Sequence, residues 1–270
     1  MNRNTEAEIK NVKPALQQTQ CCTLPFVQLW NEDCLETLKR IETGTIDLML
    51  TDIPYGTTKN EWDNLPNIAA MWLEWERIVK PNGAFIFTAQ QPIAADLIMS
   101  RRAFFRYEWI WEKTQGTGHL NANKMPLKIH ENILVFYRQL PTYNPQIIKS
   151  LKRVVKRNGL KSKTTNYGDF TEISKSEYDG YMPTDIIKFD RDEEQLHPTQ
   201  KPVDLFRYLI KTYSNENETV FDGYSGSGTT AYACIKENRK FIGSELSKEY
   251  FDLSVKRLTE ISMQPELALR

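Results

Sequence analysis

Histidine is scarce in this chain, cysteine is sparse, and long apolar runs are missing. The histidines are His119, His130 and His197, and Cys21, Cys22, Cys34 and Cys234 contain no Cys-x-x-Cys pair and no ligand-like spacing to them. The common zinc patterns are thereby excluded, so no metal is expected and the cysteines are expected as reduced thiols. No stretch approaches the roughly 20 apolar residues of a membrane helix, and Met1 to Lys13 is polar, without the apolar centre of a secretory leader. A cytoplasmic location with no membrane partner is the expectation. Net charge is also missing, at +0 from 35 basic and 35 acidic residues. Such a balance says little about how the charge is distributed.

What is present suits a folded domain. Of 270 residues, 40% are hydrophobic and 26% charged, enough to bury one large α/β core with an insertion, or two smaller cores. Residues 1–22 show no periodicity and are expected as an amino-terminal arm, either mobile or packed only at its end. Residues 23–139 then alternate. A strand is expected at 26–30 (FVQLW), a helix at 33–41, a continuous apolar strand at 46–51 (IDLMLT) and a Trp-rich helix at 67–79. The turn Lys80-Pro81-Asn82-Gly83 closes that helix before a strand at 84–89 (AFIFTA), and a helix follows near 93–99. Residues 105–113 and 132–138 read as antiparallel strands around a Gly- and Asn-containing loop at 114–126.

Residues 140–196 are polar, basic and punctuated by tyrosines, and are expected as an inserted module. Within it, KSLKRVVKRNGLKSK carries Lys149, Lys152, Arg153, Lys156 and Arg157 without one acid. Such a block is either a solvated face or a contact for phosphates. Alternation resumes over 197–270, with helices at 203–213, 234–237 and 248–261 and strands at 219–222 (TVFD) and 240–245 (KFIGSE). Alternating strands and helices imply a mostly parallel twisted sheet, covered on both faces, with ligands at the carboxyl ends of the strands.

Three acids fall at such ends. LMLTDIPYG runs through an apolar strand to Asp52, then bends at Ile53, Pro54 and Tyr55. FDGYSGSGTT follows a strand ending in Asp222 and opens a helix, and its glycines allow close approach of a ligand to free helical N–H groups. It has neither the lysine of a Walker loop nor the Gly-x-Gly-x-x-Gly spacing of a dinucleotide loop, and the plainer alternative is a tight packing turn. Glu245, at the end of KFIGSE, is placed either to accept two ribose hydroxyls or to cap the helix that starts near Ser247.

Four stretches in one order, TDIPYGTTKNEWD, HPTQKPVDLFRYLI, FDGYSGSGTT and FIGSELSKEYF, resemble the S-adenosylmethionine-dependent amino-methyltransferases of DNA, in their permuted β group. The resemblance covers most of the chain outside the arm and the inserted module. It implies a Rossmann-like class I methyltransferase fold with an antiparallel hairpin and circularly permuted motifs, the strand beside that of Glu245 being supplied by FVQLWNED. It also implies S-adenosylmethionine as cofactor, held by Asp33 and Cys34 at the adenine, Glu245 at the ribose, Asp52, Asp222, Gly226, Ser227, Gly228 and Thr229 along the methionine portion, and Thr199 and Lys201 at the carboxylate.

The implied partner is double-stranded DNA, read by the inserted module, and the resemblance admits a homodimer. The implied reaction methylates an exocyclic amine, adenine N6 being favoured by Asp at position 52 and cytosine N4 remaining open. Asp52 and the carbonyl of residue 53 would accept the amine's N–H groups, and Tyr55 would stack on the base. Ile53 departs from the family, which typically has proline there, while Pro54 still biases residue 53 toward an extended backbone. A non-catalytic DNA-binding subunit is the alternative that this departure leaves open.

Overall fold

The computed structural model describes residues 19–56, 66–148, 154–156, 163–164, 168–169, 177–193, 196 and 200–263. Two short strands, β1 (Gln20–Leu24) and β2 (Val27–Asn31), precede α1 (Cys34–Arg40) and β3 (Ile46–Thr51). Next come α2 (Ile68–Ile78), β4 (Val79–Ala89), α3 (Ile93–Ser100), β5 (Phe105–Thr117) and β6 (Lys128–Tyr137). The inserted stretch supplies β7 (Val154–Lys156), β8 (Lys163–Thr164), β9 (Gly168–Asp169), β10 (Glu177–Asp179) and β11 (Ile186–Lys188). The chain closes through α4 (Val203–Tyr213), β12 (Thr219–Asp222), α5 (Thr229–Lys236), β13 (Lys240–Ser244) and α6 (Lys248–Met263).

Nine strands form one sheet in the order β1-β2-β13-β12-β3-β4-β6-β5-β11, with parallel pairing from β2 through β4. β6 runs antiparallel to both β4 and β5, which is the expected hairpin. β2 lies beside β13, pairing Val27 with Phe241 and Trp30 with Ser244, so an early segment does complete the sheet next to Glu245. This is the mostly parallel α/β sheet with an antiparallel hairpin that the resemblance implied.

The central strands read as unbroken apolar runs because both faces are buried. Side chains alternate across the sheet, so Leu48 and Leu50 pack with Leu205, Leu209, Ala231 and Leu258 on one face. Met49 points the other way, with Phe85 and Phe87, onto Leu38, Trp72, Trp75 and Leu97. Trp72 meets Trp75, Phe85 and Phe87 edge-on at centroid distances of 5.3, 5.4 and 5.7 Å, a geometry favoured by aromatic quadrupoles. Helix starts follow local chemistry: Asp33 caps α1 through Leu35 N–H, and Asn67 caps α2 through Ala70 N–H.

Two expectations are corrected and two are sharpened. Residues 20–22 belong to β1, paired antiparallel with β2, so the end of the arm packs as an edge strand. Lys80 to Gly83 is no separate turn, since β4 already pairs Val79 with Ile46 and absorbs the extra residues as a register shift. A Cβ on Gly83 would stand 2.8 Å from Asp47 O, which explains glycine at that bulge. β5 continues to Thr117 and pairs it with Lys128, shortening the expected loop from its amino end. Finally, the inserted stretch reaches the main sheet, where β11 pairs with β5, and Ile148 bridges Tyr181. Among the described residues no helix is long and apolar enough to cross a membrane.

Candidate active site

The sheet order decides what the site contains. β2, β13, β12 and β3 are neighbours and run parallel, so their carboxyl ends stand side by side. Asp33 comes two residues after β2, Glu245 one after β13, Asp222 ends β12, and Asp52 comes one after β3. Four acids far apart in the chain thus line one edge, the position at which open α/β sheets bind ligands.

The glycine loop is fixed against this edge by its own backbone. Ser225 N–H donates to Ser244 O at 2.9 Å, Ser254 Oγ to Gly226 O at 2.8 Å, and Arg257 Nη1 to Ser227 O at 3.1 Å. Gly226 and Gly228 take φ of +53° and +79°, a region costly for residues with a Cβ, and the side of Gly226 where a Cβ would project is open. Ser227 Oγ donates to Gln200 Oε1 at 3.1 Å, and Thr229 begins α5. Gly223 has a different reason: a Cβ there would run into Cys34 Sγ, which is buried at the start of α1.

Gly223→Ala is therefore expected to destabilise the fold by about 1–3 kcal/mol through overpacking. Adding Cys34→Ala should recover part of that loss, which urea denaturation of the single and double variants would show. Strict additivity would contradict the contact.

Two of the edge acids are held above their usual range. Burial pushes the Asp222 carboxyl up to about 6, against the pull of Thr230, Thr51 and Tyr224 N–H, and the charge of Asp52 adds to the rise. Asp222 accepts from Thr51 Oγ1 at 2.7 Å, Thr230 Oγ1 at 2.5 Å and Tyr224 N–H at 3.0 Å, so most of its acceptor capacity ties β3 to the loop. Burial likewise pushes Glu245 up to about 7, against hydrogen bonds from Ser247 and Gly226. Those bonds, both 2.8 Å, use about half of a carboxylate's acceptor sites. Asp33 is exposed, with Oδ1 engaged by Leu35 N–H at 2.8 Å.

Asp52 is gripped from three sides. Its Oδ1 accepts from Tyr55 Oη at 2.7 Å and from Thr88 Oγ1 at the end of β4, and its Oδ2 accepts from Lys201 Nζ at 2.6 Å. Tyr55 was expected to offer its ring for stacking; its hydroxyl is bound to Asp52, and Lys201 Nζ stands 5.5 Å from the ring centroid. Burial and the charge of Asp52 push the Tyr55 phenol well up, so it remains a donor. Ile53 is 1% exposed and packs in the core with Met49, Phe221 and Cys34. Its side chain thus fills the core, and Pro54 is half-buried beside Tyr55.

Lys201, expected at the cofactor carboxylate, bridges two acids of the protein. Besides Asp52 it faces Glu131 Oε2 at 3.4 Å, and Glu131 Oε1 pairs with Lys113 at 2.5 Å. Sequence reading missed Thr88, Lys113 and Glu131, although the signal was present. Trp109, Trp111 and Lys113 alternate on one face of β5, as do Glu131, Ile133 and Val135 on β6, so each strand carries a charge at an inward position near its end. Thr199 lies outside the described residues, as do Lys149, Lys152, Arg153 and Arg157, and Lys156 is described only by its backbone in β7.

Comparison with known proteins matches residues 46–256 to the N6/N4 family described as DNA methylase. The chain belongs to this family. The type II methyltransferase M.HpaI of Haemophilus parainfluenzae is 28% identical over 243 residues, spanning 84% of this chain and 72% of its own. The DNA adenine methyltransferase YhdJ of Escherichia coli (strain K12) is 27% identical over 249 residues, spanning 84% and 80%. Among solved structures, the M1.HpyAVI–SAM complex superposes with a TM-score of 0.59 at 23% identity, covering 86% of this chain and 100% of that one. The PvuII cytosine-N4-specific DNA methyltransferase gives 0.60 at 17% identity, covering 87% and 91%. The DNA methylase is accordingly an amino-methyltransferase of the N6/N4 type, and it shares its fold with the cytosine-N4-specific PvuII enzyme.

Proposed function

We propose that this DNA methylase transfers a methyl group from S-adenosylmethionine to the N6 amine of an adenine turned out of duplex DNA. The observation that carries the reading is the placement of Asp52. It comes one residue after β3, beside the glycine-loop edge, with Thr88 and Tyr55 holding its Oδ1 and Lys201 on its Oδ2. The residues suit the cofactor. Glu245 keeps acceptor capacity for ribose hydroxyls, Gly226 has open space on its Cα, and Asp33 presents an exposed carboxylate for the adenine amine. Cys34, Asp222, Ser227, Gly228, Thr229 and Thr199 would complete the surround. Bound there, S-adenosylmethionine supplies a methyl group activated by its sulfonium.

The chain's own part is to prepare the amine. An exocyclic amine is a weak nucleophile because its lone pair is shared with the ring. Asp52 and the carbonyl of residue 53 accept its two N–H groups, which favours a pyramidal nitrogen with its lone pair free for transfer. Pro54 restricts the backbone that aims this carbonyl. The donors on Asp52 Oδ1 fix the carboxylate before substrate arrives, so little reorganisation accompanies reaction. No strong base is required beforehand, because the proton leaves the nitrogen after the methyl has arrived. The base has to leave the stack to reach this edge, and the face of Tyr55 away from Lys201 is the surface proposed to receive it.

Adenine is favoured by Asp at position 52 and by likeness to the adenine methyltransferase YhdJ. Cytosine N4 is the second reading, motivated by the shared fold with the PvuII enzyme. Expression in a host whose DNA lacks both marks, followed by nucleoside analysis of its genome, separates them. N6-methyladenine is the expected product, and N4-methylcytosine would replace adenine by cytosine as target.

Lys149, Lys152, Arg153, Lys156 and Arg157 are proposed to neutralise phosphates. Replacing Lys152, Arg153, Lys156 and Arg157 by alanine is expected to flatten the slope of log affinity against log salt by about three to four. An unchanged slope would return this block to a solvated face.

A further inference from the structure

Lys201 stands between the half-buried carboxylate of Asp52 and the buried carboxylate of Glu131, and lies closer to the first. Its Nζ is 2.6 Å from Asp52 Oδ2 and 3.4 Å from Glu131 Oε2, and the Lys201 side chain is 7% exposed. Glu131 Oε2 accepts no hydrogen bond among the described residues, while its partner oxygen is fixed by Lys113, whose side chain is 2% exposed. A buried carboxylate oxygen without a donor is costly. Here it faces an ammonium about half an ångström beyond normal charge-assisted hydrogen-bond length.

The four groups alternate in sign, Asp52, Lys201, Glu131, Lys113, across the ends of β3, α4, β6 and β5. Burial alone would lower Lys201, but Asp52, Tyr55 and Glu131 hold it well above its ordinary value. Burial alone would raise Glu131, but Lys201 and Lys113 hold it below. Both therefore stay ionised, and any exchange between them moves an ion rather than a proton.

The arrangement bears on the proposed reaction, on which this inference rests. An amine donating to Asp52 competes with Lys201 for Oδ2. An ammonium at that oxygen also opposes the positive charge that gathers on nitrogen during methylation. Withdrawal of Lys201 into solvent would leave Glu131 balanced by Lys113 alone, whereas a short shift toward Oε2 satisfies the orphan oxygen and frees Asp52. We propose that Glu131, anchored by Lys113, is a positioning residue that takes Lys201 from Asp52 when the target amine enters. It acts through Lys201 and does not touch the substrate.

Two measurements test it. In a crystal structure of ligand-free Asp52→Asn, Lys201 Nζ should lie within about 2.7–3.0 Å of Glu131 Oε2. A Lys201 that stays on residue 52 or turns to solvent overturns the proposal. This arm needs no catalysis, so it decides the inference whether or not the wild type methylates DNA. In the active enzyme, Glu131→Gln should lower the single-turnover rate at saturating DNA and cofactor by about ten- to a hundredfold, with KM nearly unchanged. Because Glu131→Gln strands a buried lysine, Lys113→Met/Glu131→Gln is made beside it and should show the same loss in a folded protein. Adding Lys201→Met to Glu131→Gln should raise the rate again, since the ammonium no longer occupies Asp52. A further fall in that double variant, or a wild-type rate in Glu131→Gln, overturns the proposal.

Discussion

Asp52→Ala is expected to lower methyl transfer on the order of a thousandfold while leaving cofactor affinity nearly unchanged. The size follows from the loss of a preorganised, partly desolvated acceptor aimed at the reacting group. Asp52 is positioned through Tyr55 and Thr88, and none of its hydrogen bonds, that from Lys201 included, reaches the glycine loop or Glu245, which is why binding and chemistry should separate. Single-turnover rates and calorimetric titration of the cofactor measure the two effects independently. A variant that transfers methyl at the wild-type rate would remove Asp52 from the mechanism. Parallel loss of binding and rate would instead make it part of the cofactor site.

Glu245→Ala carries the second large effect, a fall in cofactor affinity of about a hundredfold or more. Two hydrogen bonds to a charged acceptor contribute roughly 1.5–3 kcal/mol each, and the Gly226 N–H would lose its partner as well. The perturbed acidity gives this prediction a pH signature. Because burial first, set against hydrogen bonds from Ser247 and Gly226, places the Glu245 carboxyl at about 7 instead of 4.5, the folded ligand-free protein holds this proton through a range where the unfolded chain has released it. Its contribution to stability is present in full below about 4.5 and is lost as pH rises through about 7. Ribose hydroxyls donate to the ionised form, so cofactor affinity should weaken, by at most about tenfold per pH unit, as pH falls through about 7. Glu245→Gln should bind less tightly and lose that dependence on pH. A profile identical to the wild type would assign the titration to another group.

Much of the fold was legible because its strongest signals are local. Parallel strands buried on both faces read as continuous apolar runs, and the alternation with helices placed Asp52, Asp222 and Glu245 at strand ends before any packing was known. The partners of Lys201 were not legible in the same way. Its contact with Asp52 spans 149 residues and depends on how α4 lies over the end of β3, which no spacing rule supplies. Lys113 and Glu131 were legible only as charges at inward positions of alternating strands, because their pairing is made across the sheet and no local motif marks it. β1 and β11 are short edge strands of five and three residues, too brief for periodicity to distinguish from loop. At Lys80 to Gly83 turn chemistry pointed to a break, but pairing of Val79 with Ile46 kept the chain in the sheet.

The most direct test of the account is incubation of the purified chain with methyl-labelled S-adenosylmethionine and unmethylated genomic DNA, followed by digestion and separation of the nucleosides. Label in N6-methyladenine is the predicted result, and it would show that isoleucine at position 53 is compatible with transfer. Cofactor binding with no labelled nucleoside would contradict the central claim and favour a DNA-binding subunit that depends on another chain for catalysis.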